Sequence, residues 1–354
     1  LKVALAVVTV LLLIVGGLLI WRTAFPPVQV ASVEKMAFPL PDKPSIAVLP
    51  FTNMSDDPKQ EYFSDGLTDQ IISGLSKVPN LFIIARHSTF TYKGKPVKVQ
   101  KVAEDLGVRY VLEGSVQRTA DRIRITAQLI VATTGQHLWS ERYDRDPEDI
   151  FAVQDDITME IMKAMQVKLT WGEQARLWAK HETTNLAAYE KLQEGRSYLL
   201  RYTQEDNAQG RQLLEEATAL DPGYAFAYAS LGWSHFFDAR FGWSESRAES
   251  IKMAFESAQK SLEMDDTLDY AHALLSAVYL VKRQHEKAVT EAERAVALNP
   301  NGALNYNTLA GVVGCSGRWE ESIIYGNKSI RHDPIPPLTS FHWLGRGYFM
   351  TGQY

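Results

Sequence analysis

The stretch PSIAVLPFTNMSDDPKQEYFSDGL (Pro44–Leu67) decides the fold of the first half of this 354-residue chain. It opens with an apolar run, SIAVLPF, whose length and composition are typical of a buried strand. After a polar loop, apolar residues recur every fourth position at Phe63, Leu67, Ile71 and Leu75. This spacing predicts an amphipathic helix over about 58–78, so the stretch is predicted to form the first strand and helix of an α/β domain.

The loop between this strand and helix lies where many enzymes bind a phosphate. A phosphate loop needs glycines for close backbone approach and commonly a lysine. The segment TNMSDDP (52–58) has no glycine, and its carboxylates Asp56 and Asp57 would repel a phosphate. We predict instead that Ser55, Asp56 or Asp57 caps the helix, with Pro58 as its first residue.

The remaining chemistry-bearing residues do not assemble a catalytic motif. Asp65 and Asp69, four residues apart on one helix face, could hold a divalent cation or could simply be solvated. No HExxH, H-x3-H or G-x-S-x-G pattern occurs, and the single Cys315 excludes an internal disulfide. We therefore assign no catalytic, cofactor-binding or metal-binding residue, and the net charge of −5 gives no reason to expect nucleic-acid binding.

Further strands and helices follow along residues 45–170. The pattern is β-α-β-α-β-β-β-α, which predicts an α/β domain with a mixed sheet. Its later elements are LFIIAR (81–86), a helix ended by Gly107, RYVLEGSVQ (109–117), RIRITAQLIV (122–131), HLWSERYDR (137–145) and a closing helix with apolar residues from Ile150 to Met165.

The chain begins with an apolar segment that we interpret as a membrane anchor. Val3–Trp21 contains 19 residues without a charge. As a helix it is about 28 Å long, close to the ~30 Å hydrocarbon core, so residues 1–22 are predicted to form one transmembrane helix. A secretory signal peptide is the alternative. Residues 23–44 contain five prolines and are predicted to be a semi-stiff linker.

After a connector (171–185), residues 186–354 show an internal repeat. The tripeptides LDP (220–222), MDD (264–266), LNP (298–300) and HDP (332–334) succeed one another at intervals of 44, 34 and 34 residues. A period of 34 residues is that of tetratricopeptide (TPR) repeats, pairs of helices stacked into a solenoid. We predict four repeats and the start of a fifth, which the end of the sequence truncates.

The concave side of such an array is the predicted binding surface. The first-helix positions that face it carry several aromatic residues, which could anchor a peptide or could pack between repeats. The predicted partner-binding residues are Phe226, Trp233, Phe236, Tyr270, Asn307, His342 and Arg346.

Several blocks of residues 45–169 resemble the TolB-N-terminal-like domain. They are the opening stretch, RYVLEGSV, RIRITAQLIVATTGQHLWSERYDR and DIFAVQDDIT. That domain lies between a membrane helix and TPR repeats in bacterial signalling proteins. The resemblance implies a cytoplasmic head before the membrane helix, most often a class III adenylate or guanylate cyclase and in others a CadC-type winged-helix regulator.

These observations give one functional hypothesis and two alternatives. Because the sequence starts at Leu1 and stops inside a helical pattern, we expect a fragment. It would be a non-catalytic sensor or scaffold module that binds protein or peptide partners and regulates a cyclase head. The alternatives are a winged-helix head, or an envelope scaffold without an effector. The resemblance also implies an inner-membrane protein crossing once, with residues 23–354 in the periplasm.

Overall fold

The computed structural model describes residues 31–119, 121–167 and 183–353. The predicted transmembrane helix (1–22), the start of the linker and most of the connector lie outside the described residues. Within the described ranges, none of the helices combines the length and apolar composition that a membrane span requires.

Residues 45–164 form the α/β domain, and its elements follow the predicted order. In chain order they are β1 (Ser45–Val48), β2 (Thr52–Asn53), α1 (Glu61–Ser76), β3 (Phe82–Ile83), α2 (Arg86–Phe90), α3 (Val99–Leu106), β4 (Tyr110–Arg118), β5 (Ile123–Val131), β6 (Gln136–Arg145) and α4 (Ile150–Ala164). The mixed sheet is confirmed, and the short β2 and α2 are additions that the sequence pattern did not predict.

The sheet has the strand order β3-β1-β4-β5-β6, with β2 pairing beside β1 on β4. Strand β1 runs parallel to β3 and β4, with Ile46 opposite both Ile83 and Tyr110. Strands β4, β5 and β6 form an antiparallel meander, and the pairing of β5 with β6 is irregular at Leu129/Ile130. The parallel half is where helices connect the strands, as crossover connections require.

Each face of the sheet has its own core because side chains alternate along a strand. Ile46 and Val48 face the core shared with α1 and α4. Ala47 and Leu49 face the opposite core, which α3 covers. A strand buried on both faces therefore has the continuous apolar sequence observed at this position.

The start of α1 differs from the predicted cap. Pro58 begins a 3-10 turn (Pro58–Gln60), and α1 starts at Glu61 without a side-chain cap. The Ser55 hydroxyl instead accepts a hydrogen bond from the Arg118 backbone N–H at 2.9 Å, on β4. For Ser55 the prediction was wrong because β2 carries the loop along β4, where a long-range partner binds the serine. The predicted stop at Gly107 is confirmed, with φ of 63° and its N–H bonded to the Ala103 carbonyl.

Residues 186–350 form antiparallel helix pairs stacked side by side. The pairs are α5 (Leu186–Leu199) with α6 (Gln204–Leu220), α7 (Ala225–Phe241) with α8 (Arg247–Met264), α9 (Asp269–Val281) with α10 (His285–Leu298), and α11 (Ala303–Cys315) with α12 (Trp319–His332), followed by α13 (Phe341–Met350). This is the predicted TPR-like solenoid, hereafter the array.

Small residues let the helices of a pair approach closely. A Cβ atom built on Gly210 of α6 would lie 2.7 Å from the Gly195 carbonyl oxygen and 2.3 Å from Leu199 Cδ1, both on α5. The backbone cannot yield as a flexible side chain can. The first pair therefore depends on glycine at this position.

We expect Gly210→Ala to lower the free energy of unfolding by about 1–3 kcal/mol, the usual cost of overpacking a well-packed interior. Gly345→Ala is the matched control, because Gly345 lies in α13 with no atom within 4 Å of its would-be Cβ. Relief of the glycine's chain entropy should raise stability there by about 0.5–1 kcal/mol. Urea unfolding followed by circular dichroism measures the stability of both variants. A Gly210→Ala variant as stable as Gly345→Ala would contradict the close packing of α5 and α6.

Candidate binding cavity

The first helix of the array is part of the core of the α/β domain. Tyr189 of α5 is 1% exposed, and its ring packs edge-on against Phe63 at 6.3 Å and Phe151 at 5.3 Å between ring centres. Its hydroxyl accepts a hydrogen bond from Gln154 Nε2 at 3.0 Å. Because these partners lie on α1 and α4, the array starts from a fixed position on the domain.

Ion pairs continue this contact along α1. Asp69 pairs with Arg196 of α5 and lies 3.6 Å from Arg86 Nε, while Asp65 binds Lys93 Nζ at 2.6 Å. Asp65 and Asp69, considered above as cation ligands, are thus occupied by side-chain cations. The described residues contain no group of three or more potential ligand residues suited to a metal ion.

The pKa values of Arg86 and Arg196 are subject to two opposing effects, burial and the neighbouring carboxylates. Burial lowers the pKa of Arg86, although Asp69 and Asp65 oppose it. Burial also acts to lower the pKa of Arg196, but Asp69, Tyr270 and Tyr224 together outweigh it and the net shift is upward. The pairs are therefore specific contacts between α1, α2 and the array rather than solvated surface charges.

The far end of the array returns to the same domain. The Asp333 carboxylate accepts hydrogen bonds from the Ser88 backbone N–H at 3.0 Å and the Ser88 hydroxyl at 2.5 Å. The Ala85 N–H donates to the His332 carbonyl at 2.7 Å, and the His332 ring stacks on Phe82 at 4.4 Å. Nearer the middle of the array, Asn301 Nδ2 donates to the carbonyl of Ser76, the last residue of α1, and to that of Val78 just beyond it.

A cavity of about 920 Å³ lies between these contacts. Its walls are the inner helices α7, α9, α11 and α13 of the array on one side and α1 with the start of α2 on the other. The predicted concave groove is therefore covered on one side by the α/β domain. Such a cavity at a domain interface is the usual place for a ligand.

Six of the seven predicted binding residues line this cavity. They are Phe226, Trp233, Phe236, Tyr270, Asn307 and Arg346. His342 does not line it: the side chain is exposed, and its ring packs edge-on against that of Trp343 at 4.8 Å. Trp343, the next residue of α13, lines the cavity instead.

The predicted aromatic residues form a packed wall rather than projecting anchors. Phe226, Trp233 and Phe236 are only 7%, 5% and 5% exposed. Trp233 lies 5.6 Å from the Tyr270 ring, and its Nε1 donates to the Tyr270 carbonyl at 3.3 Å. They join neighbouring repeats and also line the cavity, which combines the two roles considered from the sequence.

Two turns of the array hold a side chain in a conformation that favours glycine. In the turns joining the helices of a repeat, Gly242, Gly317 and Gly352 have φ of 72°, 86° and 72°. The equivalent residues of the first and third repeats are Tyr202 and Arg283, with φ of 54° and 59°. Both line the cavity. Sequence reasoning missed them, although comparison of the turn positions between repeats would have revealed them.

A family model described as "HilA/YgeH-like transcriptional regulator, second domain" matches residues 42–160 of the chain. This match covers the α/β domain. It differs from the TolB-like resemblance, and it extends over about a third of the sequence.

The chain is similar to a curated protein of Rhizobium meliloti (strain 1021) named "Putative adenylate cyclase 3". The two are 46% identical over 249 residues, which is 70% of this chain and 42% of that protein. The chain thus spans less than half the length of this relative.

Solved structures similar to the chain are more distant. TTC0263, described as a thermophilic TPR protein of Thermus thermophilus, is 13% identical over 58% of this chain and 95% of its own, with a TM-score of 0.39. TolB from Acinetobacter baumannii is 21% identical over 37% of this chain and 30% of its own, with a TM-score of 0.27. Both scores lie below 0.5, and the fold is assigned from the helices and strands themselves.

We expect Arg283→Gly to leave the fold as stable as the wild type or more stable by up to about 1 kcal/mol, because the left-handed conformation strains any residue with a Cβ. Arg318→Gly is the matched control: this exposed arginine follows the glycine of the same turn one repeat later and pairs with Glu321. Urea unfolding compares the two. A marked loss of stability in Arg283→Gly would show that the arginine supports the fold.

Because His332 is buried, the contact between the far end of the array and the α/β domain is sensitive to acid. Burial, aided by Lys43, Arg331 and Lys328, lowers the pKa of His332 to about 4, against the hydrogen bond to the Ile83 carbonyl that raises it. Because the unfolded histidine binds its proton near pH 6.5, unfolding takes up a proton between these values, and stability falls as the pH falls.

Between pH 7 and pH 5 this one group should account for about 2 kcal/mol of lost stability. We expect His332→Asn to be less stable at pH 7 but to lose less stability on acidification than the wild type. The exposed His342, replaced in the same way, should keep the wild-type dependence. Urea midpoints at the two pH values test this, and an unchanged slope in His332→Asn would contradict a buried neutral ring.

Proposed function

We propose that the chain is the partner-binding, regulatory part of a membrane-bound signalling protein whose effector head is an adenylate or guanylate cyclase. The support is its 46% identity to part of a protein named as an adenylate cyclase, together with an array of the kind that binds protein partners. The apolar residues 1–22 would anchor it in the bacterial inner membrane, with the described domains outside the cytoplasm. Reporter fusions at Tyr354 test this orientation.

One contact carries the proposal that the array controls the effector. Arg331 at the far end of the array donates from Nη2 to the Pro39 carbonyl at 3.1 Å and lies over the Phe38 ring at 5.3 Å. Both residues belong to the linker toward the proposed membrane helix. Arg331 also donates to the Leu106 and Gly107 carbonyls at 3.2 and 2.9 Å, so it joins array, domain and linker.

This contact offers a physical route for a signal. A partner that prefers one position of the array would change how Arg331 holds the linker, because a ligand shifts a conformational equilibrium by its difference in affinity for the two states. The linker would then transmit the change toward the membrane. Burial lowers the pKa of Arg331 to about 10, which still leaves the guanidinium charged at neutral pH.

A transcription-regulator head is the second candidate. It is favoured by the HilA/YgeH-like match to residues 42–160, since that model describes the second domain of transcriptional regulators. The proposed module would be the same, and only the head that it controls would differ.

The complete gene, expressed in a bacterial host lacking its own adenylate cyclase, distinguishes the candidates. We expect cyclic AMP or cyclic GMP from the complete protein and none from the 354-residue chain alone. Arg331→Ala should change the output about fivefold or more, the scale of ordinary allosteric coupling. Lys328→Ala is the control, and it should leave the output unchanged. Lys328 lies one turn earlier on α12, over the Tyr306 ring.

If neither form produces a cyclic nucleotide and the complete protein binds DNA sequence-specifically, the cyclase proposal is rejected in favour of the transcription-regulator head. Equal output from Arg331→Ala and the wild type would reject the route through the linker.

A further inference from the structure

Four arginines of the cavity wall are solvent-exposed. Arg240, Arg247, Arg283 and Arg346 line it, and within the described part of the chain none of them forms an ion pair. Arg240 lies near the end of α7, Arg247 begins α8, and Arg283 lies between α9 and α10. These turns lie along one rim of the array, because successive inner helices run parallel in such repeats.

The acids of the same cavity are already engaged. Asp69 is held by Arg196, and Asp333 by Ser88. Asp269, which is buried, accepts hydrogen bonds from Asn299 Nδ2 at 3.0 Å and Asn305 Nδ2 at 2.8 Å. The lining contains six arginines and only three aspartates, so an excess of positive charge faces the cavity, and it would attract an anion.

The interior between these charges is aromatic. Phe226, Trp233, Tyr270, Trp319 and Trp343 contribute to the lining. Arg346 lies over the Trp319 ring at 5.4 Å and the Trp343 ring at 6.0 Å, so one cation is held against the apolar surface. A ligand that suits both features has an anionic group and an apolar or aromatic body.

Two of the lining residues have a strained backbone conformation. Tyr202 and Arg283 occupy left-handed positions that glycine fills in three other repeats. Tyr202 packs on the Phe237 ring at 5.4 Å between ring centres, and this contact accounts for an aromatic residue at its position. Arg283 has no ion pair and no ring partner among the described residues. Strain held at a cavity without a packing reason points to a function in binding.

The size of the cavity indicates a small molecule rather than a chain segment. Its volume of about 920 Å³ lies within the range of small-molecule sites. The α/β domain is also attached to both ends of the array, so a long peptide on the concave face would have to pass these contacts.

We propose that this cavity binds a small organic anion, a carboxylate or phosphate on an aromatic body, with Arg240 and Arg283 holding the anionic group and the aromatic wall holding the body. Guanidinium groups recognise both anions through paired hydrogen bonds. The site does not depend on the identity of the effector head.

The test is binding to the whole chain, purified in detergent, measured by calorimetry and thermal unfolding. The probes are indole-3-acetate and phenyl phosphate, each compared with its uncharged counterpart, indole-3-acetamide and phenol. We expect at least one anion to raise the melting temperature and to bind about tenfold tighter than its neutral counterpart, as a hydrogen-bonded charge implies.

Arg283→Gly and Arg240→Gln should each weaken that binding about tenfold, which is the effect of losing one charge-assisted hydrogen bond. Without ligand, the unfolding midpoint of Arg283→Gly should stay at or above the wild-type value. Arg318→Gln, outside the cavity, should bind as the wild type does.

Anions that bind no better than their neutral counterparts would overturn the proposal, as would full affinity in both arginine variants. Binding of an acidic peptide in the absence of any small-anion binding would overturn it in favour of a peptide groove. Each result is independent of the nucleotide assay, so failure here leaves the proposed effector untouched.

Discussion

The structure depends on the fixation of one helix array at both of its ends. At the start, Tyr189 is buried in the core of the α/β domain, so the first repeat cannot move without opening that core. At the far end, the Asp333 carboxylate is held by Ser88 of α2 in the same domain. The curvature of the array between these points is what creates a cavity, since an array held at one end would leave its concave face open.

The fold was predictable because its signals are local. Apolar alternation located the strands, the spacing of four residues located α1, and the period of 34 located the helix pairs. Gly107 ended α3 as expected, because a left-handed cap needs only the residue itself. Ser55 was misjudged for the opposite reason: its partner, the Arg118 amide, lies 63 positions away.

The site was predictable in part. Repeat geometry placed Phe226 and Trp233 on the inner face, but it gave no indication that the α/β domain would cover that face. The covering contacts use backbone carbonyls, as at Ile83 and Val78, and any sequence offers those. His342 was misplaced by a single helical position, since its neighbour Trp343 takes the inward direction. Arg240 and Arg247 lie at helix ends and Arg283 lies in a turn, outside the first-helix positions that were considered.

The long separation of the closing contacts affects how the molecule must fold. Ordinary repeat arrays contact only their neighbours and can begin to fold anywhere. Here Ser88 and Asp333 are 245 residues apart, and the pairing of Asn301 with α1 spans 225. Loop-closure entropy delays such contacts until much of the intervening chain is ordered. The α/β domain and the first array helix that completes its core precede the last repeats in the chain, so they can provide the surface on which those repeats dock.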